Sequence, residues 1–151
     1  IPTGFHFVEG SYGPYAKEVK DAITVLSNAN YMTEQKLGRM VETIVAPSFV
    51  LPQNLFTEEE IDRADHAFDL LSRMKSTDQA EMIATVLFSY DEIQKREQPT
   101  EQQVYDHVMA WKPRWKGVKD LEVQTAIYDL SSLGWMRPRE DSGLLEDNNL
   151  F

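Results

Sequence analysis

The chain has 151 residues, no cysteine, an apolar fraction of 42% and a formal net charge of −10 at pH 7. That length holds one ordinary domain with a core, or two small subdomains. Absent cysteine excludes disulfides, thiolate nucleophiles and Cys-based zinc sites, and so acidic a balance disfavours gripping nucleic-acid phosphates, which takes Lys and Arg.

Residues 1 to 12 alternate loosely (Phe5 and Phe7 against His6 and Val8) and predict a short strand at their end. Gly10, Gly13 and Pro14 then punctuate a turn. From Pro14 to about Asn30, Ala16, Val19, Ile23 and Leu26 keep the period of an amphipathic helix, with Pro14 suited to its first position. Residues 39–51, rich in Val41, Thr43, Ile44, Val45, Phe49 and Val50, predict a strand or hairpin interrupted by Pro47.

The second half is more explicit. Thr57 with Glu60 is a Thr-x-x-Glu capping box, and Thr100 with Gln103 repeats the signature. The first opens a helix to about Met74, with Ile61, Ala64, Phe68 and Leu71 expected on its inner face. A second helix, about Asp78 to Lys95, is apolar nearly all round from Met82 to Phe88, as a central buried helix is. A third runs from Glu101 to about Trp111. A fourth, from near Asp120, turns Leu121, Ile127, Leu130 and Leu133 inward and stops at Gly134, before a short strand at Trp135 and Met136.

The expected fold is therefore α+β and mainly helical: a helical bundle with a short β-hairpin and a winged-helix-like C-terminal half. Residues 1–139 are read as one domain, divisible into 1–56 and 57–139, and 140–151 as an acidic flexible tail. The opening at Ile1 reads as a fragment of something longer. No apolar run approaches the roughly 20 residues of a membrane span, and no signal-peptide pattern is present, so a cytoplasmic location without a membrane partner is expected.

The charge is unevenly placed. Residues 57–110 hold thirteen acids against five bases, a net −8, whereas 111–139 hold six bases against three acids. Such a chain suits a partner with a basic surface. A DNA-reading fourth helix would need Arg or Lys outside, and shows Glu122, Gln124 and Asp129 instead.

No Gly-x-Gly-x-x-Gly or phosphate loop occurs, and His6, His66 and His107 are far apart in sequence. Asp62 and His66 share the i, i+4 spacing of paired metal ligands, a spacing that also arises in plain surface ion pairs. No catalytic, cofactor or metal site is expected. The candidate partner-binding residues are Glu58, Asp62, Asp65 and Asp69, at i, i+4, i+7 and i+11 on one helix face. Successive carboxylates stand roughly 5–6 Å apart along the axis, the order of the phosphate spacing of about 3.4 Å along a nucleic-acid strand. The row reads either as a phosphate mimic offered to a DNA-handling protein or as a solvated face whose acids favour the helix N-terminus. The run Trp111-Lys112-Pro113-Arg114-Trp115-Lys116 reads as a stacking patch for single strands or, with better fit, as an interhelix loop with core tryptophans and wet bases. Tyr12-Gly13-Pro14-Tyr15 reads as a turn whose tyrosines pack.

Four segments also occur in a telling order: Glu9-Gly10-Ser11-Tyr12-Gly13-Pro14-Tyr15-Ala16, Ala80–Val86, Val108-Met109-Ala110-Trp111, and Ala126 to Trp135. Together they resemble the C-terminal toxin-binding domain of DarG-type macrodomain antitoxins, over most of residues 5–137. The resemblance implies a non-catalytic domain that restrains a DarT-type toxin, an enzyme that ADP-ribosylates DNA. Glycohydrolase activity would belong to a macrodomain not among these residues. It also implies a helix upstream of Ile1, whose absence leaves apolar surface uncovered. Pro113 departs from the family's usual polar residue after the tryptophan, so no role carries over to that loop. The "YGP" turn is similar to the opening of Panacea antitoxin domains as well. The competing expectation is a winged-helix transcriptional regulator, for which only residues 111–139 offer basic charge.

Overall fold

The computed structural model describes residues 4–38, 40–50 and 55–139. Among these the fold is α+β and mainly helical, with five α-helices and two antiparallel two-stranded sheets. In order they are β1 (Val8–Gly10), β2 (Gly13–Tyr15), α1 (Lys17–Asn28), β3 (Met32–Leu37), β4 (Met40–Val45), α2 (Glu58–Ser72), α3 (Thr77–Gln94), α4 (Glu101–Trp111) and α5 (Asp120–Ser132). They group into two compact units. The first takes the chain up to Val8 and Tyr15–Arg73; the second takes Glu9–Pro14 and the chain from Met74 onward. The break thus falls after Arg73, where sequence reading placed it at 56/57, so α2 groups with the elements before it.

In the first unit, α1 begins at Lys17 behind Ala16 rather than at Pro14, which lies in β2. A fixed φ near −65° serves a strand edge as well as a first helical turn, and here the strand wins. The helix ends in a Schellman motif: Asn30 takes φ +59°, its N–H donating to Ser27 O (3.0 Å) and the Tyr31 N–H to Leu26 O (2.9 Å). The chain then forms the β3–β4 hairpin, paired from Met32↔Val45 to Leu37↔Met40. β3, with its polar sequence Met-Thr-Glu-Gln-Lys-Leu, was outside the expected 39–51 strand region. Burial is slight: α1 buries no residue, and Ala16 and Leu70 are the unit's buried apolar residues among those described.

The second unit holds the core. α3 contributes Met82, Val86 and Tyr90, α4 contributes Val104, Val108 and Met109, and α5 contributes Val123, Ile127 and Leu130. The inward face of α5 thus runs through Val123; Leu121, expected inside, is exposed, as is Leu133. Ser76 caps α3, its hydroxyl accepting from the Gln79 N–H at 3.1 Å. The Thr100 box forms as expected, with Thr100 N–H donating to Gln103 Oε1 at 2.8 Å and Gln103 N–H to Thr100 Oγ1 at 3.2 Å. Gly134 at φ +79° closes α5 in a second Schellman motif. Beyond it the described chain makes one parallel bridge, Thr100↔Arg139, and no wing hairpin, so the winged-helix likeness extends to the three helices. Residues 140–151, expected as a tail, lie outside the described residues. No described helix is long and apolar enough to cross a membrane.

Candidate partner-binding face

α2 starts from its capping box. The Thr57 N–H donates to Glu60 Oε2 at 2.9 Å, and the Glu60 N–H donates to Thr57 Oγ1 at 3.2 Å. Hydrogen bonds from the Thr57 backbone and then its hydroxyl hold the Glu60 carboxyl below its ordinary range. Glu58, Glu59 and Glu60 fill the first turn, where the exposed N–H groups favour negative charge. From this start the helix carries Glu58, Asp62, Asp65 and Asp69 as one exposed stripe, so the structure brings all four predicted residues onto a single face. Asp69 differs from its neighbours in the stripe by accepting two hydrogen bonds from Arg73, 2.9 Å from Nε and 3.1 Å from Nη2. That guanidinium holds the Asp69 carboxyl below its usual value.

The apolar side of α2 overturns an expectation. Ile61, Ala64, Phe68 and Leu71 do share a face, yet it is turned outward: Ile61 is 48% exposed, Phe68 71% and Leu71 59%. The one buried residue of the helix is Leu70. Periodicity states which side chains stand together, not whether anything covers them. Sequence reasoning took these exposed apolar side chains as core and missed them as surface, although their i, i+3, i+7, i+10 spacing put them on one face. His66 follows Asp62 as the spacing implied, and among the described residues no group of three or more His, Asp or Glu side chains assembles around a metal-sized gap.

The Trp111–Lys116 run lies in the second unit, where Lys112, Trp111 and Trp115 act structurally. Lys112, expected wet, is 4% exposed. Its ammonium donates to Ser11 O (2.8 Å), Gly10 O (3.2 Å) and Glu81 Oε1 (2.9 Å), and lies 4.9 Å from the Trp111 ring centre. Three acceptors and an aromatic face together replace the water that a buried cation loses. The Trp111 indole N–H also donates to Gly10 O at 3.2 Å, so the β1–β2 turn is held to α4 at the same point. Arg114 and Lys116 do stay exposed, and Trp115 is buried, which leaves no two-tryptophan platform for bases. Tyr12 and Tyr15, expected to pack, are exposed.

His107 lies between Ser89 Oγ, 3.0 Å from Nδ1, and Glu9 Oε1, 3.9 Å from Nε2. The order serine, histidine, carboxylate is that of a hydrolase triad, but Ser89 is wholly buried in α3 and no substrate reaches its hydroxyl. The outward face of α5 shows Leu121, Glu122, Gln124, Tyr128 and Asp129, without a cation to meet phosphate. No family model, no curated protein and no solved structure matches the chain.

Proposed function

We propose that this chain is a non-catalytic, cytoplasmic antitoxin domain that binds a DNA-modifying ADP-ribosyltransferase toxin and occupies its basic DNA-contacting surface as an acidic DNA mimic. The observation that carries this reading is the exposed row Glu58, Asp62, Asp65 and Asp69 on α2. The net −8 of residues 57–110 supports it, because a field of that sign speeds encounter with a basic partner and repels nucleic acid. The resemblance to DarG-type antitoxins supplies the identity of the partner.

The test is binding of a DarT-type DNA ADP-ribosyltransferase to this chain, followed by kinetics over a salt series. The parent chain captures toxin one to one and blocks DNA modification. Replacing Glu58, Asp62, Asp65 and Asp69 together by Lys slows association about tenfold or more at low salt, with the difference shrinking as salt rises. Unchanged association would overturn the mimicry, and no capture by the folded parent would overturn the antitoxin reading.

A further inference from the structure

We infer that α2 docks as an inserted helix: its outward ridge of Ile61, Ala64, Phe68 and Leu71 enters an apolar groove on the toxin, one rim of which carries Lys or Arg. This rests on the antitoxin reading and adds to it a hydrophobic anchor that charge mimicry does not require. At 3.6 residues per turn the ridge and the acid stripe lie about 110° apart around the helix, with Leu70 on the remaining side. The helix therefore has one side covered, one apolar and bare, and one acidic and bare.

The spacing i, i+3, i+7, i+10 is that of helices that bind in grooves by a line of apolar anchors. Phe68, the largest of the four and 71% exposed, sits inside the line rather than at its end, where a central hot spot belongs. The acids choose the occupant. Within Glu58–Ser72 six carboxylates face one base, Arg63, so a second copy of α2 laid against the first would bring like charges together. An anionic lipid surface is repelled on the same ground. A protein groove with a cationic rim satisfies both sides at once, the rim meeting Glu58, Asp62 and Asp65 while the floor takes Phe68 and Leu71.

The experiment measures association and dissociation of the intact chain with toxin, comparing F68S, L71S and the double variant with the parent. Both side chains are more than half exposed, so the fold survives, and unchanged circular dichroism and monomer mass confirm it. The inserted-helix geometry requires each substitution to speed dissociation about tenfold or more, alike at low and high salt, with association nearly unchanged. A parent that binds toxin while the double variant dissociates no faster overturns the inserted helix and leaves the antitoxin reading standing. A parent that does not bind toxin overturns that reading, and the groove with it.

Discussion

Lys112 ties the β1–β2 turn and α3 together through one ammonium. Its ammonium is the common donor for two backbone carbonyls of the β1–β2 turn and for Glu81 of α3, all in the second unit and with little water at hand. A methionine there keeps the length of the side chain but takes the ammonium from Ser11 O and the charged Glu81 carboxylate, while Gly10 O keeps the Trp111 indole N–H. Lys112→Met is expected to cost about 3 kcal/mol in urea unfolding followed by circular dichroism, in line with breaking one side of a buried ion pair. Glu81→Gln keeps an oxygen as acceptor and costs less. A loss for Lys112→Met as small as that of an exposed lysine would mean that water replaces the ammonium.

At the level of elements, the two capping boxes separate local from global stability. Thr100 is buried at the start of α4, which packs on α3 and α5, so Thr100→Ala costs the domain about 1 kcal/mol. Thr57→Ala removes the same motif from α2, which has one buried residue, and lowers helix content with little effect on the main unfolding transition. Far-UV circular dichroism against urea reads both. These boundaries were legible in the sequence because a cap is a local bargain between residues three apart, and Gly134 marked the end of α5 for the same reason. The candidate stripe was legible as spacing on a helix. The direction of α2 was not, since an amphipathic pattern predicts a neighbour that none of the described residues supplies. Nor was burial of Lys112, whose acceptors come from residues 31, 101 and 102 positions away in the sequence. β3 escaped because its inner run Thr33–Lys36 is polar throughout and forms a strand only against β4.

Across the whole molecule the two units differ in what holds them. The second has nine buried apolar residues on three mutually packed helices, while the first has a two-stranded hairpin, a helix with none and a helix with one. Opening free energy follows buried contact, so amides of α1 and of the β3–β4 hairpin should exchange with deuterium well before those of α3, α4 and α5. Mass-spectrometric exchange on the free chain measures this, and equal protection in the two units would contradict the difference in packing. The tryptophans follow the same division: Trp111, Trp115 and Trp135 all belong to the second unit. Intrinsic indole emission of this chain is consequently a reporter of that unit alone. A melting curve followed by fluorescence records the loss of the three-helix core and passes over any earlier loosening of α1 or the hairpin, which a tyrosine-sensitive or isotope-edited signal would catch.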